Sequence, residues 1–293
     1  MSRTAVFLGA CLVVLAPSCR DRTPKPVPAT IATRVAALSP ASAEILCAVG
    51  CCGKIVVRSS WADYPQAVLT APAYDGLYPS AEALLAFRPD LVVLNYPPPA
   101  LQSALQAAKI GWIAQSPRTV AEIGDNIAAL ALACGAAGAG QRAAGTFRDA
   151  VAQAQQAATG RPTVKVFVEL DAGDGRRPFT IGHGSFVDDV VTLAGGRNVF
   201  AQRPETWFAV DIEALLAADP DVVVLGDSDV NTNPQTLETL KARPGFGALR
   251  AVKAGKVVAL PGSWLSRPGP RVALAVAALA AALHAQSVPR QAP

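Results

Sequence analysis

Two stretches of the chain carry the same order of apolar and polar positions. The first is Ser80-Ala-Glu82-Ala-Leu-Leu-Ala-Phe-Arg-Pro89-Asp90-Leu-Val-Val-Leu94, and the second is Asp211-Ile-Glu213-Ala-Leu-Leu-Ala-Ala-Asp-Pro220-Asp221-Val-Val-Val-Leu225. In each, a Ser or Asp can accept a hydrogen bond from the free N–H groups of a first helical turn. A Glu two residues later stands where the helix dipole favours negative charge. The Leu pair supplies an apolar side, and Pro stops the helix because it has no donor for the next turn. The Val-rich run that follows is apolar on both faces, as in a parallel strand covered by helices. The unit occurs once in each half, which predicts an α/β protein of two lobes.

The rest of the pattern fits this frame. Residues 35–38 and 55–57 read as strands around a helix that begins at Ser39 and is closed by Gly50 or Gly53. A helix over 101–109, a strand at Trp112-Ile113 and a helix over 120–134 complete the first lobe. Residues 139–158 are rich in Ala and Gln without a break, and predict one long helix joining the lobes as a rod. A strand at 164–170 opens the second lobe, and a polar loop follows at 171–178. A helix at 187–194, a turn at Gly195-Gly196, a strand at 257–260, a loop at 262–271 and a final Ala-rich helix close it. The expected segments are a leader (1–18), a tether (19–33), the first lobe (34–138), the linker helix (139–160), the second lobe (161–286) and a tail (287–293).

The N-terminus reads as an export signal. Arg3 precedes an apolar run over 5–16 that is too short to span a bilayer as a permanent helix, and Ser18-Cys19 ends it. A small residue before Cys19 predicts a bacterial lipoprotein signal, with Cys19 acylated at the new N-terminus. No later segment is long and apolar enough to cross a membrane. The chain is 51% hydrophobic and 16% charged with a net charge of +4 and no basic stripe, which excludes a nucleic-acid partner. Four cysteines lie beyond the leader, Cys47, Cys51, Cys52 and Cys134; they read equally as buried apolar groups or as one structural disulfide.

Catalysis finds little support. The two histidines are His183, between glycines, and His284, near the end of the last helix. Neither a G-x-S-x-G nor a G-x-G-x-x-G motif surrounds His183. No ligand set for a bare metal is visible. The aromatic residues are more telling. Trp61, Tyr64, Tyr78, Tyr96, Phe179, Trp207, Phe208 and Trp264 all fall in loops near strand ends or beside Pro and Gly. Aromatics collected at the mouth of α/β lobes suit a large, flat, partly apolar ligand.

Several of these segments together resemble one family over nearly all of the chain beyond the leader. They are Arg34-Val-Ala-Ala-Leu-Ser39-Pro40-Ala-Ser-Ala-Glu44, Ser59-Ser60-Trp61-Ala-Asp63-Tyr64-Pro65, the first copy of the repeat, Gly195-Gly196-Arg-Asn198-Val-Phe200 and Ser266-Arg267-Pro268-Gly269-Pro270-Arg271. The set is similar to the class III periplasmic binding proteins of ABC importers, and within them to the vitamin B12 (cobalamin) binders. The resemblance implies two Rossmann-like lobes with parallel sheets, a single rigid linking helix and a ligand held between the lobes. It implies a monomer that delivers a corrinoid to a dimeric inner-membrane permease without a cofactor or catalytic step of its own.

By position, the resemblance places ligand contacts at Trp61, Tyr78, Tyr96, Phe179, Trp207, Ser263 and Arg267, and transporter docking at Glu82 and Glu213. The sequence departs from the family where Trp61 replaces a Tyr, Ser263 replaces an acid and Tyr78 replaces a differently placed Trp. Heme and ferric-siderophore binders share the implied fold. Tyr74, Tyr78 and His183 would be the axial ligands for heme, and Arg267 with Arg58 the cations for an anionic chelate.

Overall fold

The computed structural model describes residues 30–74, 79–229 and 234–285. The nominated leader, Cys19 and Tyr78 lie outside them. In the first lobe, β1 (Val35–Ala37), α1 (Pro40–Ala48), β2 (Ile55–Ser59), β3 (Ala73–Tyr74), α2 (Ala81–Leu85), β4 (Leu91–Leu94), α3 (Pro99–Ala107), β5 (Gly111–Ala114) and α4 (Val120–Ala133) follow in order. The five strands are all parallel, in the order β3-β2-β1-β4-β5.

Helix α5 (Ala137–Ala158) leads to the second lobe. That lobe contains β6 (Val164–Glu169), β7 (Phe179–Ile181), α6 (Phe186–Leu193), β8 (Gly196–Asn198), β9 (Trp207–Ala209), α7 (Ile212–Ala218), β10 (Val222–Leu225), α8 (Leu237–Ala242), α9 (Arg250–Lys253), β11 (Val257–Ala259), α10 (Gly262–Ser266) and α11 (Val272–His284). Strands β11-β10-β6-β8 form a parallel sheet, and β7 pairs with β9 in a separate antiparallel ribbon.

Both copies of the repeat fold as their pattern predicts, as α2–β4 and α7–β10. Ser80 and Asp211 each accept the N–H three residues on, from Ala83 and Ala214. The residue before each Pro, Arg88 and Asp219, has a positive φ, 48° and 43°, so the chain turns at the same place in both lobes. The Asp after each Pro then holds the start of the neighbouring strand. Asp90 accepts from the Thr33 N–H and hydroxyl and the Arg34 N–H, while the Asp90 N–H donates to the Arg34 carbonyl. Asp221 accepts from the Lys165 N–H, and its own N–H donates to the Lys165 carbonyl.

Alternation along the strands divides the cores. In the first lobe Ala36, Val57 and Val92 pack with Leu84, Leu101 and Leu105 of α2 and α3. Val35, Ala37, Leu91 and Val93 face the opposite way, onto α1 and α4. The second lobe repeats the division, with Phe167, Val223 and Leu225 against α7–α9 and Val166, Val168, Val222 and Val224 against α6 and α11. The inner layer is continuous through both lobes.

Helix α5 is packed along its length, burying Gly140, Ala144 and Phe147 towards one end and Ala154 and Ala158 towards the other. At Gly140 a Cβ would overlap that of Ala131, so glycine permits the close approach of α4 and α5. Ala32 and Thr33, at the end of the expected tether, are bound into the first lobe through the Ala32 N–H to the Ala133 carbonyl and the Thr33 contacts to Asp90.

Several short elements differ from the sequence reading. Gly195 makes the expected turn at φ 80°, but Gly196 already begins β8. The loop expected over 262–271 starts as the five-residue helix α10. Phe179 and Trp207, read as loop residues, belong to the β7–β9 ribbon. The cysteines divide between both readings: Cys47 and Cys52 form a disulfide, and Cys51 and Cys134 are buried thiols. Burial pushes the Cys134 thiol up to about 12, with the neighbouring Cys51 adding to the shift.

Candidate functional site

The nominated aromatics are placed in two ways: in the first lobe Trp61 and Tyr96 follow the C-terminal ends of parallel strands, and in the second Phe179 and Trp207 lie in the antiparallel β7–β9 ribbon. Trp61 follows β2 and is 70% exposed; Tyr96 follows β4 and is 69% exposed. A side chain of that size left bare at a strand end is available to a ligand. The Tyr96 backbone is held at φ 47°, with its N–H donating to the Ser116 hydroxyl at 3.2 Å. In the second lobe, the antiparallel register pairs Phe179 with Ala209 and Ile181 with Trp207. Phe179 and Trp207 therefore share one face of the ribbon. Phe179 is 41% exposed, and Trp207 is half-buried with its ring edge-on to Phe186.

Ser263 and Arg267 lie in and just after α10, beyond the end of β11. They do not stand free. Arg267 makes a two-pronged ion pair with Asp63 of the first lobe, which holds the Asp63 carboxyl below the usual carboxylate range. Ser263 accepts a hydrogen bond from Arg271 at 3.1 Å. Arg271 in turn binds Glu44 of α1 through Nε (3.0 Å) and Nη2 (2.9 Å) and stacks over the Tyr64 ring at 4.2 Å. The Glu44 side chain is 4% exposed and that of Arg271 18%, so this cross-lobe pair is largely buried.

A second set of contacts joins the lobes beyond β5. Arg118 Nε donates to the Gly184 carbonyl at 3.2 Å, and the Val120 N–H donates to Asp189 Oδ2 at 2.7 Å. Burial raises the Asp189 carboxyl, and this hydrogen bond opposes the shift. Glu44, Asp63, Arg118, Asp189 and Arg271 were not singled out from the sequence as cross-lobe contacts. For Glu44, Asp63 and Arg271 the only signal was opposite charge in three of the family-like segments, with partners 204 and 227 residues apart; Arg118 and Asp189 lie outside those segments and gave none.

The alternative ligand groups are also engaged. Arg58 donates to the carbonyls of Ala71, Ser59, Ser60 and Ala62 at 3.0–3.4 Å. The Tyr74 hydroxyl accepts from the Ser80 N–H at 3.3 Å. His183 is exposed, with Nδ1 3.8 Å from Asp188. Among the described residues no group of three His, Cys, Asp or Glu side chains is placed to hold a metal ion. Glu82 and Glu213, each in the first turn of its short helix, are exposed on the two lobes.

A buried polar cluster sits at the same end of the second sheet. Glu169, the last residue of β6, is fully buried and paired with Arg243 at 2.6 Å. Asp227, two residues beyond β10, is 3% exposed, and among the described residues neither carboxylate oxygen has a hydrogen-bond partner. Burial first, and then the charge of Glu169, push Asp227 up to about 7.

Two parallel-sheet lobes joined by one helix, with exposed aromatic groups on both, make the architecture of a solute-binding protein. Residues 35–263 match the model of the periplasmic binding protein family, and the chain belongs to that family. The vitamin B12-binding protein of Vibrio cholerae serotype O1 is 30% identical over 257 residues, covering 86% of this chain and 88% of that protein. The solved structure of the periplasmic vitamin B12 binding protein BtuF of Vibrio cholerae superposes with a TM-score of 0.74 at 27% identity, covering 86% of this chain and 96% of that one. The apo periplasmic heme-binding protein RhuT from Roseiflexus sp. RS-1 gives a TM-score of 0.75 at 25% identity, covering 86% and 98%.

Proposed function

We propose that the chain captures a corrinoid between its lobes and delivers it to an inner-membrane ABC permease. It is exported by its leader, tethered through acylated Cys19 and acts as a monomer. Trp61, Tyr78, Tyr96, Phe179 and Trp207 pack on the ring system, Ser263 and Arg267 border it, and Glu82 and Glu213 meet basic groups of the two permease subunits. The chain performs no covalent step and carries no cofactor of its own.

The observation that carries the corrinoid reading is the pairing of the nominated cations. Arg267 is neutralised by Asp63, and Arg58 is spent on backbone carbonyls. Large aromatic faces remain exposed beside them. Such a surface favours a flat ring with an amide-rich, weakly charged rim over a polyanionic chelate, because neither of the two nominated guanidinium groups is offered free to an anion.

The test is calorimetric titration of the mature protein with cyanocobalamin, cobinamide and haemin, each followed by its visible spectrum. The expected result is one-to-one corrinoid binding that weakens in Trp61→Ala and Trp207→Ala. Binding of haemin alone, with a shifted Soret band lost in Tyr74→Phe or His183→Ala, would overturn the corrinoid reading.

A further inference from the structure

The two copies of the repeat share more than an acidic residue. Each reads Glu-Ala-Leu-Leu-Ala, as Glu82 to Ala86 and Glu213 to Ala217. The first Leu of each pair, Leu84 or Leu215, is fully buried in its lobe's core. The second turns outward: Leu85 is 43% exposed and Leu216 37%. Being three residues after Glu82 and Glu213, these leucines share the face of the helix that carries the carboxylate. The following Ala86 and Ala217 are exposed and add only a low surface around them. Each lobe thus presents a carboxylate beside an apolar knob.

A single exposed leucine requires no explanation. Here the same exposed position is leucine in both lobes, although the copies differ at neighbouring sites, with Ser80 against Asp211, Ala81 against Ile212 and Phe87 against Ala218. Core packing does not account for it, because the core is filled by the preceding Leu. A pair of identical acid-plus-leucine patches on pseudo-symmetric lobes matches a two-fold partner that repeats one basic group and one apolar socket.

We propose that Leu85 and Leu216 are apolar anchors for docking on the permease, each seated in a socket next to the cation that pairs with Glu82 or Glu213. This rests on the docking role proposed above. The division of labour follows from the chemistry. The carboxylates act at long range and set the association rate and its salt dependence, whereas the leucines act only on contact and set the dissociation rate. In the second lobe Leu216 borders a shallow groove of mixed lining, with Ala248 and Ala254 beside Asp219, Arg250 and Lys253.

The experiment uses the full mature protein loaded with cyanocobalamin. Its partner is the reconstituted permease whose transport it supports in cells lacking their own binding protein. Association and dissociation rates are read at low and high salt. Leu85→Gln and Leu216→Gln should each speed dissociation about tenfold with the salt slope unchanged. Leu→Met at either position should restore the wild-type rate, and cyanocobalamin affinity and melting temperature should not move. Wild-type dissociation in both Gln variants, with Glu82→Ala and Glu213→Ala impaired, would overturn the anchors and leave carboxylate docking intact. Wild-type behaviour in all four variants, or a wild-type protein that supports no permease, would overturn the docking role and the anchors together.

Discussion

Arg267 of the second lobe is paired with Asp63 of the first, so a ligand bound as proposed, against Trp61, would meet an ion pair and not a lone cation. Removing the carboxylate leaves the guanidinium uncancelled, at a spot where one unit charge several ångströms from a carboxylate is worth about 1 kcal/mol. In Asp63→Ala, haemin with its propionates should therefore gain about fivefold in affinity, while cyanocobalamin should change by less than about twofold. Parallel titrations check this; equal shifts for both ligands would show that the pair does not select by charge.

Asp227 is a second residue whose surroundings set its chemistry, and here the consequence is for stability. Its carboxyl sits at about 7 in the folded protein against an ordinary 3.8. Between those values the folded state keeps a proton that the unfolded state releases, so stability falls as pH rises through this window, and the loss is complete above 7. Asp227→Asn removes the charge at every pH. It should be more stable than the parent at pH 8, by on the order of 4 kcal/mol, and close to it near pH 4. Urea unfolding at the two pH values reads the difference, and an equal effect at both would refute the assignment.

At the scale of elements, the repeat is a locking device as well as a helix–strand unit. Asp90 and Asp221 fasten the end of that unit to the strand beside it, and hydrogen bonds outweigh burial to hold both carboxyls below the usual carboxylate range. Each Asp→Ala leaves backbone N–H groups without their acceptor and should cost about 1–3 kcal/mol. The two losses should add in the double variant, because the sites lie in different lobes. Denaturation midpoints of the four proteins test both statements.

The helix, the Pro stop and the strand were legible because their causes lie within 15 consecutive residues: a cap, an apolar pair, a proline and a β-branched run. The function of Asp90 was not, because its acceptor role depends on Thr33 and Arg34, more than 50 residues earlier. The β7–β9 ribbon was hidden for a related reason. Three-residue strands are too short to establish a period, and their pairing is fixed by tertiary register. Trp61 and Tyr96 were legible as loop aromatics beyond strand ends, whereas the cross-lobe salt bridge beside them joins residues some 200 positions apart.

For the whole molecule, the question is whether the lobes move about α5. The long helix read from its Ala-rich sequence as a rod is embedded between α4 and α11 in a core continuous through both lobes. Rotating one lobe would expose part of that core and break the buried Glu44–Arg271 pair, the Asp63–Arg267 pair and the contacts of Arg118 and Val120. Opening would return both partners of each pair to water, so the ionic edge adds only modestly to the resistance of the apolar spine. Cyanocobalamin should accordingly enter a cleft already formed, with the radius of gyration changing by less than about 1 Å in X-ray scattering. In the Glu44→Ala, Asp63→Ala double variant the apolar spine remains while the ionic edge is gone. Spin labels on the two lobes should then report a broadened distance distribution without ligand, narrowed again when ligand is added. A broad distribution already present in the parent protein would mean that the spine does not set the interlobe angle, and that closure on the ligand does.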